Sequence, residues 1–412
     1  KVVGWVCAAH RRWGGDHDGR PLPRPGVVSS PCSWHLSRSM STNPKARAWV
    51  RVEAEALRRN YRQIRDSVGP DARLLPMVKA DGYGLGAADV VSCLDPLQPW
   101  GYGVAAVSEG VALRALGVGR PIVVCSPVPV AEMEAAVRHD LQLFVSSLGA
   151  LEALQAAAAA AGRSASWHLD VDTGMGRSGF DWRDADAWLA PATAPRPGLD
   201  WVAVCTHLHS ADESVASVHE QWGRLSDVLE RIVERGAPAD GLMVHTLNSA
   251  GAFRAPEYAR PVVRPGIFLC GGRIGPSQPE PAPVASVHAR VVHLREAPTG
   301  TTLGYGSTYA ATVPERWATL SIGYGDGLPR ALSNRGSALL EGVRVPIVGR
   351  ISMDVTVVDV TGVSEVREGS VATLIGSQGE EHITLDEVAQ QADTISYEIL
   401  TGLTSRLPRV WC

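Results

Sequence analysis

Residues 73–84 read Arg73-Leu74-Leu75-Pro76-Met77-Val78-Lys79-Ala80-Asp81-Gly82-Tyr83-Gly84, an apolar strand that ends on a lysine and passes at once into a turn of small residues. A cation leaving a buried strand onto such a turn is placed for partial desolvation. That frees an amine's lone pair for attack on a carbonyl and Schiff-base formation. The plainer reading is a strand-capping lysine whose head snorkels to water. The rest of the chain decides between the two.

This strand is the first of a series. From about residue 46 to 270, short apolar and β-branched runs alternate with amphipathic stretches. The runs are Arg73–Lys79, Tyr102–Val107, Ile122–Ser126, Gln142–Ser146, Ser166–Asp172, Val202–His207, Leu242–Leu247 and Val262–Leu269. Helical periodicity marks Ser108–Leu116, Val130–Arg138, Leu148–Ala161 and Ser217–Arg235 between them. Eight parallel-type strands with helical crossovers predict an α/β fold of the (β/α)8 TIM-barrel type. No glycine fingerprint of a dinucleotide fold is present.

Barrel enzymes place their chemistry at the C-terminal strand ends. There stand Lys79 after the first run, Asp172-Thr173-Gly174-Met175-Gly176-Arg177 after the fifth, Thr206-His207 on the sixth, Asn248-Ser249 after the seventh and Arg264-Pro265-Gly266-Ile267 on the eighth. Each has a bland explanation. His207 reads equally as a core histidine, Asn248-Ser249 as a helix cap, Arg264 as a surface cation, and Gly174 and Gly176 as turn formers. Five polar motifs on one rim favour a site.

Beyond the Pro-rich linker at Pro279–Pro283 strands dominate: Val287–His293, Ala318–Ile322, Ser337–Leu340, Val343–Val348, Val355–Asp359 and Val371–Ile375, with a helix near Leu385–Gln391. The sequence divides into a tail at 1–45, a barrel at 46–282 and a mainly-β domain at 283–412, which Ala48–Val52 is a candidate to join. Three glycine-rich motifs stand out in the β region: Gly304-Tyr305-Gly306, Ile322-Gly323-Tyr324-Gly325-Asp326-Gly327 and Gly349-Arg350-Ile351-Ser352-Met353-Asp354. A glycine-flanked tyrosine is ordinarily a turn-packing aromatic; here the flanking glycines leave both tyrosines exposed, which favours a site.

A formal charge of −4 over 412 residues leaves no basic stripe for nucleic acid. No apolar run reaches the roughly 18 residues that span a bilayer, so a soluble protein is expected. Seven scattered cysteines form neither a disulfide framework nor metal-ligand pairs, and a reduced compartment is the simplest inference. Residues 1–39 show no helical or strand period, only a weak apolar patch at Val2–Ala9, and Met40 is the favoured initiator.

Val78-Lys79-Ala80-Asp81-Gly82-Tyr83-Gly84, Asp172–Arg177, Asn248-Ser249, Arg264–Ile267, Gly304-Tyr305-Gly306, Ile322-Gly323-Tyr324 and Arg350–Asp354 resemble, in order and approximate spacing, the motif series of the alanine racemase family, among the fold-type III PLP enzymes. The resemblance covers about residues 46–411. It implies a barrel with a β domain, pyridoxal 5′-phosphate (PLP) as cofactor, alanine as substrate, and a cytoplasmic homodimer whose active sites borrow residues from the partner's β domain. It also implies D-alanine supply for peptidoglycan.

By the same resemblance Lys79 holds PLP and acts as one proton-transfer base, while Tyr305 of the other subunit is the second base on the opposite face. His207 links Tyr305 to Arg264, and Arg264 faces the pyridine nitrogen. Since guanidinium keeps its proton, that nitrogen stays largely unprotonated and the cofactor is a weaker electron sink. Tyr83, Asn248, Ser249, Gly266, Ile267 and Tyr397 complete the cofactor site, mainly at its phosphate. Arg177 and Met353 take the substrate carboxylate, Tyr324 narrows the entrance, and Asp170, Ser352 and Asp354 support them.

The chain also departs from the family. Asp170 stands where many members carry a carbamylated lysine, so its carboxylate is expected to orient Arg177 without carbamylation. Leu85 and Ser352 replace a common histidine and a frequent cysteine, and His209 has no assigned role. Of the rival readings, a decarboxylase of the same barrel class prefers an acidic partner for the pyridine nitrogen, against Arg264. A non-catalytic PLP carrier lacks the second domain. A broad-specificity or serine racemase differs only in the width of the entrance near Tyr324 and Met353.

Overall fold

The computed structural model describes residues 45–236 and 242–412 of the protein. The expectations for the N-terminal tail and its Met40 initiator therefore lie outside the described residues.

Eight strands, Arg73–Leu74, Tyr102–Val104, Ile122–Val124, Gln142–Val145, Ala165–Asp172, Leu199–Cys205, Met243–His245 and Val262–Val263, overlap the eight apolar runs of the sequence, the sixth starting three residues before its run. The second to seventh form one parallel sheet in chain order. The eighth pairs with the first, Val262 opposite Arg73. The ring closes through a Met77–Gly103 bridge and through the Arg264 N–H on the Leu247 carbonyl at 2.9 Å. The first and eighth strands are shorter than their apolar runs because Pro76 and Pro265 have no N–H to give to a ladder.

Helices wrap this barrel. Val130–Arg138 and Leu148–Ala161 match the sequence expectation, and the longest runs from Val215 to Glu234 with the Ser214 side chain capping the Ser217 N–H. Ala54–Val68 is amphipathic, with Leu57, Tyr61 and Ile64 buried at helical spacing. Its buried Asn60 donates to the carbonyls of Leu269 and Ala282 and accepts from the Ala282 N–H, which ties the helix to the linker. Leu57 is fully buried and contributes about 2 kcal/mol through apolar area alone.

The remaining strands build a largely antiparallel sheet on Ala285–Ala297, whose alternate residues Val287, Ala289 and Val291 face the core. Glu315–Leu320 and Val371–Gln378 flank it. Ala48–Val52 also pairs with it, Ala48 opposite Ala289, and takes the final strand Arg409–Trp411 in parallel on its other edge. The chain thus crosses this sheet before it enters the barrel and returns to the same place at its end. Leu385–Gln391, capped by Thr384, and Ser396–Gly402 are the last helices. No helix among the described residues is long and apolar enough to cross a membrane.

Candidate active site

Lys79 opens an unusual turn. Ala80, Asp81, Gly82, Tyr83 and Gly84 follow one another with φ of 51°, 54°, 64°, 55° and 79°, a left-handed run that includes three residues with side chains. Each of those three costs about 1–2 kcal/mol in this conformation. The surroundings impose it: Ala80 N–H donates to Glu109 at 2.6 Å, Gly82 N–H to Val78 at 2.8 Å, and Asp81 accepts from the Ala87 N–H at 2.8 Å. At Gly84 a Cβ would stand 2.2 Å from the Leu400 carbonyl oxygen, so only glycine fits.

The turn brings a half-buried Lys79 and a buried Tyr83 to a cleft at the C-terminal end of the barrel. Asp170, Arg177, His207, Asn248, Ser249, Arg264, Gly266, Ile267 and Tyr397 line the same cleft, with Met77, Cys125, Phe144 and Ser178, which the sequence had not singled out. Among the described residues neither the Lys79 amine nor the Arg177 guanidinium has a hydrogen-bond or ion-pair partner in the protein. Cys125 is a protonated lining group, its thiol pushed up to about 12 by burial.

Arg264 is no surface cation: it is 4% exposed. It donates to the carbonyls of His245 and Thr206, each at 2.6 Å, and to His245 Nδ1 at 2.6 Å, while His207 Nδ1 stands 3.5 Å from Nη2. His245 continues to His168 at 2.8 Å, and His168 to Gln142 at 2.9 Å. Phe144 packs against both imidazoles and lies under the guanidinium. Burial, then the charge of Arg264, holds His207 and His168 neutral, with pKa values lowered to about 3. His168 and His245 lie inside strands the sequence had located, and a histidine in a buried run was the signal available; attention to strand ends missed them.

Asp170 differs from its expected role. Its carboxylate accepts from Ser146 at 2.9 Å and Ser178 at 3.1 Å, and makes no ion pair with Arg177. Burial raises its pKa, and two hydroxyls hold it in place of a guanidinium.

The opposite end of the cleft is lined by hydroxyl and backbone N–H donors. Ser249 Oγ accepts the Gly266 N–H at 2.8 Å and keeps its own proton to donate. Among the described residues the Ile267 N–H has no protein acceptor. A Cβ on Gly266 would sit 2.2 Å from the Tyr83 hydroxyl, so the glycine lets that phenol approach the backbone. Tyr83 and Tyr397 lie with ring centroids 6.1 Å apart. Burial pushes Tyr397 up to about 12 and Tyr83 higher still, so both stay neutral donors. Asn248 follows its bland reading at least in part: it caps the helix Ser249–Arg254 through the Gly251 N–H at 2.9 Å. A free amine, a buried guanidinium and a hydroxyl-lined end in one cleft are a donor set that fits PLP.

The sheet domain holds the other predicted residues away from the lining of this cleft. Tyr305 is 68% exposed, Met353 52% and Tyr324 41%. Their loops interlock: Tyr324 N–H donates to the Ser352 carbonyl at 3.0 Å and Gly325 N–H to that of Met353 at 2.8 Å. Asp354 pairs with Arg406 at 2.6 Å, and Arg406 also reaches the fully buried Asp326. Among the described residues the His209 side chain bonds its neighbour Ser210, and its N–H donates to Gln221.

Barrel, amine and hydroxyl-lined end define a PLP-dependent barrel protein, and the buried Arg264 with the second, sheet domain sets it among the amino acid racemases. Residues 52–274 match the alanine racemase N-terminal domain, and residues 284–411 match the alanine racemase C-terminal domain. The alanine racemase of Desulfosudis oleivorans is 36% identical over 378 residues, 89% of this chain and 96% of that one. The crystal structure of alanine racemase from Bacillus anthracis with bound L-Ala-P superposes with a TM-score of 0.83 at 31% identity, covering 90% of this chain and 96% of that one. That of Bartonella henselae, with covalently bound pyridoxal phosphate, gives 0.81 at 30% identity, covering 89% and 100%. The chain belongs to the alanine racemase family.

Proposed function

We propose that the chain interconverts L- and D-alanine, with Lys79 and Tyr305 as the two proton carriers and Tyr305 supplied by a second copy of the chain. One observation supports this above others. The cleft holds Lys79 and Arg177, neither with an ion-pair or hydrogen-bond partner among the described residues, beside an end lined by hydroxyls and backbone N–H groups. A small zwitterionic amino acid complements them, its carboxylate on Arg177 and its α-carbon near Lys79.

PLP, when bound, draws electrons from the α-carbon and lowers the cost of removing its proton. Inversion then needs the proton taken from one face and a proton returned on the other. Lys79 serves one face. In this reading the exposed Tyr305 serves the opposite face of a partner's cleft, where neutral His207, with Nδ1 toward Arg264, leaves Nε2 for the phenol. Met353 and Tyr324 arrive with it and close the entrance around a methyl group. The same reading places the enzyme in the cytoplasm as a homodimer that makes D-alanine for peptidoglycan.

Mixing two impaired variants tests the shared site. In a Lys79→Ala and Tyr305→Phe heterodimer one cleft regains both native carriers, so an equimolar mixture after subunit exchange should recover about a quarter of the parental rate of optical-rotation loss with alanine. Lys79→Ala alone should lose the near-visible absorbance of the bound cofactor. No recovery from a mixture whose exchange is verified would refute the shared site.

A further inference from the structure

Arg409, on the last strand, directs all five of its N–H donors at main-chain carbonyls. Nε and Nη2 donate to Gly84 at 2.9 and 2.7 Å, Nη2 also to Leu403 at 2.7 Å, and Nη1 to Thr404 at 2.5 Å and Leu407 at 2.6 Å. A guanidinium has five such donors, so none remains for another partner. No carboxylate pairs with it among the described residues; Asp81 is the acid whose charge it feels.

The carbonyls it gathers belong to two segments of the cleft. Gly84 closes the left-handed turn that carries Tyr83. Leu403 follows the helix Ser396–Gly402, which carries Tyr397. The segments already touch, since the Gly84 backbone lies against the Leu400 carbonyl, and their tyrosine rings stand 6.1 Å apart. Lys79 is held from the other side, by Val78 on Gly103 and Ala80 on Glu109.

We propose that Arg409 is a positioning residue for the phosphate end of the cofactor: by bracketing Gly84 and Leu403 it sets the spacing of Tyr83 and Tyr397. The proposal rests on the reading that these two phenols bind phosphate. Lysine cannot replace it, because a single ammonium has three donors and no planar fork to span four carbonyls. Loss of the bracket loosens the grip on phosphate and leaves the amine end in place.

Full-length enzyme loaded either with PLP or with pyridoxal, which lacks the phosphate, separates these effects. Loss of cofactor absorbance after dilution gives the two release rates. Arg409→Lys should speed PLP release about tenfold and change pyridoxal release by less than about twofold. Tyr397→Phe should shift the same ratio. Misfolded protein would release both forms alike and leave the ratio unmoved, and thermal melts identify it; Arg409→Gln then takes the place of Arg409→Lys. An unchanged ratio of PLP to pyridoxal release rates in folded Arg409 variants, with a raised one in Tyr397→Phe, overturns the proposal. An unchanged ratio in Tyr397→Phe as well overturns the phosphate reading beneath it.

Discussion

Nδ1 of His245 accepts a 2.6 Å hydrogen bond from Nη1 of Arg264, both groups buried inside the barrel. A guanidinium only donates, so this nitrogen carries no proton and the proton of His245 lies on Nε2. It donates to His168 Nδ1, and His168 in turn donates from Nε2 to Gln142 Oε1. One tautomer of each imidazole satisfies the chain, and it fixes Arg264 from below. Arg264→Lys keeps the charge and loses the fork, leaving several buried acceptors unmatched. Urea unfolding at neutral pH should show a loss of about 2–4 kcal/mol; a loss below about half a kcal/mol would mean the chain does not depend on the guanidinium.

Acid should destabilise the fold through the buried imidazoles. His168 and His207 are depressed to about 3, and His245 well below its ordinary value, by burial and then by Arg264. The unfolded chain binds protons on these groups below about pH 6.5 while the native one does not, so their stabilising contribution is present above that pH. It falls by about 1.4 kcal/mol per unit per histidine as pH drops toward 3. Tm measured from pH 7 to 4 should decline steeply, and His168→Gln should flatten the decline. An equal slope in that variant would show that His168 is not among the groups responsible.

Asp170 has the opposite sign. Burial raises its pKa, so what it adds to stability is greatest in acid and is lost as pH rises through the folded value. Relative to the parent, Asp170→Asn should therefore gain more in Tm at pH 8 than at pH 4. The family resemblance sets Asp170 in the place of a modifiable lysine; on that reading racemase activity should not change when carbon dioxide and bicarbonate are removed, whereas Asp170→Lys should acquire that requirement. Sensitivity of the parent enzyme would contradict this.

Gly84 and Gly119 make a matched pair of glycines. A Cβ on Gly84 meets the Leu400 carbonyl at 2.2 Å on a backbone with φ of 79°, while one on Gly119 meets nothing within 4 Å. Gly84→Ala should cost more than about 2 kcal/mol and Gly119→Ala less than about half of one. Thermal or urea melts of the two variants settle it, and equal costs would remove the steric explanation of the turn.

Tyr305→Phe should slow the two enantiomers unequally, since each loses its proton first to a different face. Solvent deuterium entering the α-carbon of L- and of D-alanine, measured separately, reports the first transfer in each direction. Equal slowing of both would count against Tyr305 as a one-face carrier.

Much of this enzyme is written locally. Apolar runs of strand length, helical spacing between them, and Pro76 and Pro265 trimming two strands follow from neighbours in the chain, and so does the collection of polar motifs at strand ends. Periodicity and turn chemistry act over a few residues, which is why they can be read without coordinates. The left-handed backbone of Ala80 and Asp81 could not be read this way, because neither residue favours it and distant contacts impose it. Asp170 is placed by Ser146 and Ser178, the histidine chain by three strands, and the Arg409 bracket by carbonyls as far as 325 residues away. A backbone carbonyl looks the same in every residue, so a sequence carries no mark of which one a buried guanidinium will choose; closure of the barrel against the sheet makes that choice.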